Sequence, residues 1–447
     1  KRYASMTNLL IKKCDVLSFA GGKAHVETKQ DIAIQDESIS AIEKTGTLQE
    51  GNFEQCIDAG GMLAVPGFIN THAHVPMVLF RNLAEDVTIS EWFNDYIWPM
   101  ESNLTEEDVY WGAQLGMAEM IENGITCVAD HYFHMDEVAK AVEMAGMRAN
   151  LVWAVFAHQG EEMLDKTIDF TRRWQGKADG RITTWLGPHA PYTTNPDFLK
   201  LCAQKAQKNG LGIHIHVSET AAQVDLSLKE YGITPVQQVR DCGILDVPTI
   251  LAHVVDPRGE DFDILASHDT GIAQAPKTYL KSGMGLAPIH QYREHGIPFG
   301  LATDGAVSNN TLDIMEQMRL LALFGKYQTM DSTCMKLEEL MEITFHGGAK
   351  VMHLPEKIGD LKPGMLADIT LIRQDGLNST PKANSLAYLL YCAKSSDVDT
   401  VLCNGKVLMQ GRKLLTLDKA RIQQEVQSRL QRLSQRMPNE RIAFYPA

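Results

Sequence analysis

An alternation repeated through the middle of the chain constrains its fold most. Between residues 65 and 357, short apolar runs recur with helical patterns between them. The runs are LAVPGFIN, ITCVAD, ANLVWAVF, ITTWLGPHA, LGIHIHVSE, TILAHVV, TGIAQAP and IPFGLATD. Strands buried on both faces read as continuous apolar runs, as parallel strands covered by helices must. After the first run, Leu115, Met117, Ala118 and Ile121 share a helical face in the stretch Thr105 to Asn123, and Gly124 is placed to end it. Eight β/α units predict an α/β chain whose residues 65–357 form a (β/α)8 TIM barrel. A doubly wound open sheet is the alternative, but no GxGxxG turn follows any run.

The ends read differently. Residues 6–64 hold short β segments (NLLIKKCDVLSF, DIAIQDESISAI, QCIDAGGMLAVPG) punctuated by glycine turns. Residues 358–416 resume that pattern with ADITLIRQ and VDTVLCNGKVLMQGRKLL, where Asn404-Gly405 is a hairpin signal. Together they predict one small β-sandwich built from both termini. Residues 417–447 read as a C-terminal amphipathic helix and tail without a functional role.

Charge and composition narrow the partners. The formal charge is −14 and there is no basic run, which argues against a nucleic-acid or anionic-membrane surface. No apolar stretch approaches the ~20 residues of a membrane span. Lys1–Ser5 has basic residues but no apolar core after it, so it does not read as a signal peptide. The eight cysteines are scattered with no CxxC pair, as expected of reduced thiols in a cytoplasmic protein.

The unusual residues gather where a barrel keeps its active site, at the C-terminal ends of the strands. His72 and His74 follow the first strand, and Asp130, His131 and His134 the second. His189 ends the fourth, His216 and Glu219 the fifth, His253 the sixth and Asp304 the eighth. Side chains at i and i+2 share a strand face, so His72 and His74 can grip one ion. A third imidazole and Asp304 would complete an N3O set for Zn2+, or for Fe2+ or Mn2+, with water in the open position. Such an ion brings the pKa of its water to ~7. The fourth strand ends in His189, not lysine, so one ion per chain is expected instead of a lysine-bridged pair. Spacing leaves His214 and His216 as alternatives for the third imidazole. Glu219 is placed to carry protons, and capping of the next helix is the lesser alternative for a glutamate there.

The segments PGFINTHAH, HVSE, LAH and TDG resemble the amidohydrolase superfamily, in particular its aminohydrolase branch of nucleoside, guanine and cytosine deaminases and s-triazine hydrolases. The resemblance extends through GDLKPGMLADITLI (359–372) to nearly the whole chain. It implies a metal held by His72, His74, His216 and Asp304, and selects His216 over His214. It implies that Glu219 shuttles protons between water, ring nitrogen and departing amine, that Asp304 accepts the water proton, and that His253 orients the attacking water. An even-numbered homo-oligomer through the outer helices follows from the same resemblance.

Within the branch, the chain is most similar to the 5-methylthioadenosine/S-adenosylhomocysteine deaminases. IWPMESNLT resembles the segment whose glutamate holds ribose hydroxyls, implying Glu101, and GPHAPYT resembles the segment whose histidine contacts the nucleoside, implying His189. Trp92, Trp98, Phe133 and Trp153 are the expected walls for a flat base. Two departures stand out. After the third strand the chain reads LVWAVFAHQGEEML, with no arginine before Arg172. After the seventh it reads QAPKTYLKSG, where Lys277, Thr278 and Tyr279 are expected to face the substrate. A guanine, pterin or triazine amino- or chlorohydrolase is the alternative among enzymes, and a metal-bearing barrel without turnover the alternative outside them.

Overall fold

The structure, a computed structural model, describes residues 8–436 and 441–446. Lys1–Ser5, the first two positions of the 6–64 segment, and residues 437–440 and 447 of the tail lie outside the described residues. The N-terminal part forms β1 (Asn8–Ser18), β2 (His25–Gln35), β3 (Ser38–Lys44), β4 (Gln55–Asp58) and β5 (Met62–Pro66). The middle forms β6 (Phe68–His74), β7 (Ile125–Tyr132), β8 (Arg148–Val155), β9 (Ile182–Pro188) and β10 (Ile213–Val217). It continues with β11 (Thr249–His253), β12 (Thr270–Gln274), β13 (Phe299–Leu301) and β14 (Asp304–Gly305). The chain returns as β15 (Ile369–Arg373), β16 (Val398–Cys403), β17 (Lys406–Gln410) and β18 (Lys413–Leu414).

All eight apolar runs contribute barrel strands, in the parallel order β13-β12-β11-β10-β9-β8-β7-β6-β14. Only Ala302 and Thr303 separate β13, which pairs with β12, from β14, which pairs with β6. They are one interrupted eighth strand, and it closes the barrel between the seventh and the first. Where backbone pairing lapses, side chains bridge the gap. Asn70 Nδ2 donates to Thr303 Oγ1 (2.7 Å), Thr303 N to Asn70 Oδ1 (2.9 Å), and Thr71 Oγ1 to the Leu301 carbonyl (2.8 Å). The break lets Asp304 adopt φ +59° and turn its carboxylate into the barrel mouth.

The first run is divided between two sheets. LAVP belongs to β5 in the terminal sheet and FIN to β6 in the barrel, with Gly67 at the crossing. Its N–H donates to the Asp368 carbonyl (2.8 Å), and a Cβ there would stand 2.1 Å from Thr126 Oγ1. Only glycine lets the two sheets meet so closely.

The terminal β unit is a single ladder, β18-β17-β16-β15-β5-β1-β2-β3 with β4 beside β1, so both ends of the chain meet at β15 and β5. Asn404 and Gly405 make the β16–β17 turn with φ of +53° and +76°, as a two-residue hairpin demands. Its strands close over their own apolar core, which includes Leu9, Ile11, Ile32, Ile34, Ile369 and Leu371. A buried fork fixes the unit to the barrel: Arg148 Nε and Nη2 donate to Asp368 at 2.9 and 3.1 Å, and Nη2 also reaches Asn404 Oδ1 at 2.8 Å. Among the described residues, no helix is long and apolar enough to cross a membrane, and all eight cysteines are free.

Candidate functional site

At the C-terminal mouth of the barrel, imidazoles arriving on separate strands converge. His72 and His74, both from β6, have ring centres 4.7 Å apart. Each ring is turned by a partner on Nδ1. His74 Nδ1 donates to the His131 carbonyl (2.5 Å) and His216 Nδ1 to the His189 carbonyl (2.7 Å), while His72 Nδ1 meets His214 Nε2 (2.8 Å). With Nδ1 engaged, Nε2 of His72, His74 and His216 faces inward. His72 and His74 Nε2 lie 3.5 and 3.3 Å from Asp304 Oδ1, and His216 Nε2 lies 3.3 Å from His74 Nε2. Ser308 Oγ donates to Asp304 Oδ2 (2.6 Å) and so aims the other carboxylate oxygen at the imidazoles.

This donor set fits a divalent cation. His72 Nε2 is buried without a hydrogen-bond partner, a cost that a ligand lone pair removes when it has an ion to bind. His72, His74 and Asp304 offer ligand atoms within 4.8 Å of one another, as do His72, His216 and His253. Asp304 sets the charge of the cluster. Burial opposes a charge on His74, but the Asp304 carboxylate outweighs it and lifts the imidazole to about 9. Burial likewise works against the Asp304 carboxylate, yet its two imidazole partners hold it well below the usual range. Buried His72 is instead driven down to about 3, and His216 also falls well below its ordinary value, so both stay neutral donors.

Beside the cluster stands a carboxylate–imidazole pair. Glu219 Oε1 lies 3.7 Å from His253 Nε2, and Glu219 Oε2 accepts from Gln223 Nε2 at 3.1 Å. Glu219 does not cap the following helix, Ala221–Tyr231; the Thr220 side chain does, accepting from Gln223 N. Backbone strain concentrates here. Ser218, His253, Val254 and Asp304 all have φ between +46° and +77°, a conformation costly for residues other than glycine.

Above these groups opens a cavity. Trp92, Trp98 and Phe133 line it, and so do Glu101 and His189. The buried Tyr132 hydroxyl donates to Glu101 Oε1 (2.6 Å), and His189 Nδ1 is held by Thr193 Oγ1 (2.9 Å). Trp153 requires correction. It does not line the cavity; Ala154 does. Alternation along β8 turns the indole outward, where it packs edge-on against Phe170 at 5.8 Å.

Lys277, Thr278 and Tyr279 do not line the cavity either. Lys277 Nζ is spent on Thr311 Oγ1 and Glu316, and the buried Tyr279 hydroxyl accepts from Ala275 N. Ser282 and Met284 reach the cavity from that segment instead. His134 sits at the start of the helix Met135–Ala145, outside the cavity. Asp130 accepts from Val75 N (2.7 Å) and pins the turn after β6, while His131 lines the cavity with both ring nitrogens unpartnered.

Sequence reasoning missed Ser308, Tyr132, Tyr192, Gln223 and Tyr445. Gln223 had a signal, lying one helical turn beyond Glu219. Tyr445 had none, for it reaches the Glu219 surroundings from 222 residues away.

The model of the amidohydrolase family matches residues 63–408. A 5-methylthioadenosine/S-adenosylhomocysteine deaminase of Pelotomaculum thermopropionicum is 41% identical over 434 residues, 96% of this chain and all of that protein. The protein of the same name from Carboxydothermus hydrogenoformans is 40% identical, covering 94% of this chain and 97% of its own. Among solved structures, an adenosine deaminase of Xanthomonas campestris with bound zinc superposes with a TM-score of 0.90 at 26% identity, covering 96% of this chain and 98% of that one. A triazine hydrolase variant superposes at 0.87 with 25% identity, covering 95% and 99%. The chain belongs to the amidohydrolase family.

Proposed function

We infer that the chain is a zinc-dependent hydrolytic deaminase that exchanges the exocyclic amine of an adenosine-type nucleoside for oxygen, with 5-methylthioadenosine its preferred substrate. The observation that carries this reading is the Glu219–His253 pair beside the His/Asp cluster at the floor of an aromatic cavity. A site that only binds or braces has no use for a proton carrier. The names of its relatives, and the zinc in the Xanthomonas deaminase, support the same reading.

His72, His74, His216 and Asp304 would hold the ion, which supplies Lewis acidity and water with a pKa near ~7. The remaining chemistry belongs to the chain. Glu219 takes a proton from water and passes it to the ring nitrogen beside the amine-bearing carbon. Oxygen bonds to that carbon while His253 donates toward it, and Glu219, again a carboxylate, takes the second water proton from that oxygen and delivers it to the amine as the C–N bond breaks. Water and substrate become ammonia and the oxo-purine. Glu101 accepts from the ribose hydroxyls, and Trp98 and Phe133 bound the base.

The test is ammonia release by zinc-loaded protein from methylthioadenosine, S-adenosylhomocysteine, adenosine, guanine, a pterin and melamine, with chloride release from a chlorotriazine measured in parallel. Turnover of the thioadenosines supports the reading. Turnover only of free heterocycles, or of the chlorotriazine, would replace the substrate class. Silence throughout with zinc bound would overturn it.

Glu101 adds a pH signature. Burial pushes its carboxyl up to about 7, with the Tyr132 hydroxyl pulling the other way. A raised pKa means that the accepting carboxylate is present above that pH and lost as pH falls through it. KM for a nucleoside is therefore expected to climb about tenfold per pH unit on the acid side. Glu101→Gln should raise KM at neutral pH and flatten that limb; an unchanged acid limb in the variant would remove Glu101 from ribose binding.

A further inference from the structure

We propose that Tyr445, in the C-terminal tail, is a positioning residue of this site: it clamps the cavity roof to the helix that carries Gln223, and through Gln223 it holds Glu219 in place. The roof is the segment 89–101, which brings Trp92, Ile97, Trp98 and Glu101 to the cavity. Its Asn94 side chain takes both backbone groups of Tyr445. Tyr445 N donates to Asn94 Oδ1 (2.9 Å), and Asn94 Nδ2 donates to the Tyr445 carbonyl (3.0 Å). This two-point clip is buried, and Tyr445 is 4% exposed.

The clip sets the ring. It stacks on Phe93 with centres 5.0 Å apart and planes 7° from parallel, and meets Tyr192 edge-on at 5.2 Å. Phe93 and Tyr192 are themselves cavity walls, so Tyr445 backs two of them. The hydroxyl accepts from Gln223 Nε2 at 3.3 Å. The same amide nitrogen donates to Glu219 Oε2, and its carbonyl oxygen accepts from Glu219 N at 3.1 Å. Both N–H donors of the Gln223 amide are therefore used: it grips Glu219 at two points and is braced from behind by Tyr445.

The tail's approach is also anchored to the roof's flank. Asn103 Nδ2 donates to the Gln435 carbonyl (2.7 Å), Arg432 Nη1 to the Asn103 carbonyl (2.8 Å), and the Arg436 guanidinium lies over the Tyr96 ring at 4.4 Å. Packing alone explains a stacked tyrosine. It does not explain a clip that fixes the backbone on one element while the hydroxyl braces the side chain of another.

The Glu219 half of the inference rests on the deaminase reading, and the clamp half does not. The test uses the full zinc-loaded chain in two measurements. Hydrogen exchange compares the parent with Tyr445→Ala; faster exchange in 89–101 and 219–227, with the barrel unchanged, is expected. Unchanged exchange in both segments would overturn the clamp, whatever the substrate proves to be.

Kinetics on methylthioadenosine then compares Tyr445→Phe, Gln223→Ala and the double variant. Tyr445→Phe keeps the stacking and loses the brace, so kcat is expected to fall about fivefold with KM little changed. The double variant should be no slower than Gln223→Ala, because both act through one group. Multiplying effects would separate Tyr445 from Glu219 and overturn the positioning role. If the parent deaminates nothing, the function reading fails and hydrogen exchange alone decides the clamp.

Discussion

Glu219→Gln is expected to lower kcat by about 10³-fold, within the range a positioned proton carrier contributes, while zinc content and thermal stability stay at the parent's values. The substitution is close to silent structurally. Glu219 N still donates to Gln223, and the new amide can present its oxygen to Gln223 Nε2 where the carboxylate oxygen now accepts at 3.1 Å. Glu219 belongs to neither group of side chains that could hold an ion, so the ion should bind as before. Only the ability to take up and release a proton is lost. A factor of 10³ corresponds to about 4 kcal/mol of transition-state stabilisation. The check is steady-state turnover alongside elemental analysis of the same protein samples. A kcat within tenfold of the parent, with zinc at one per chain, would show that another group carries the proton.

The strands of the barrel were legible in the sequence because both faces of each are buried, which leaves unbroken apolar runs. That same uniformity hides phase. A strand apolar on both faces has no alternation to say which residue points inward, so Trp153 and its neighbour Ala154 could not be told apart, and the smaller one faces the cavity. Nor does a run announce which sheet it joins. Gly67 divides the first run because of a Thr126 side chain that is remote in sequence. The histidines were legible as a set, since strand ends are where barrels keep chemistry. His214 and His216 share a face of β10, so phase cannot separate them; depth does. His216 comes level with His74, and His214 sits a layer below against His72. Contacts set by tertiary folding alone, such as Ser308 on Asp304 and Tyr445 on Gln223, left no local pattern to read.

The cavity's lining supports a strong preference about the substrate's far end. S-adenosylhomocysteine and methylthioadenosine share the base and ribose; they differ in a zwitterionic tail against a methyl group. Among the described residues, no lysine or arginine lines the cavity, and its apolar lining includes Met77, Val87, Ile89 and Met284. The cations nearest in sequence to those residues are committed elsewhere, Arg81 to Glu119, Lys281 to Glu85 at 2.7 Å and Lys277 to Glu316 at 2.8 Å. A tail carboxylate entering here gives up water and meets the Ser282 hydroxyl but no compensating charge, whereas a methylthio group loses nothing. An uncompensated ionic group in such surroundings costs about 3 kcal/mol or more, so kcat/KM is expected to favour methylthioadenosine by about 10²-fold. Both nucleosides supplied together at low concentration, with each product followed by chromatography, give the ratio directly. Met284→Arg should narrow it by supplying the missing cation. Equal consumption of the two by the parent would mean that the tail leaves the cavity for solvent, and would sink the discrimination while leaving the deamination chemistry intact.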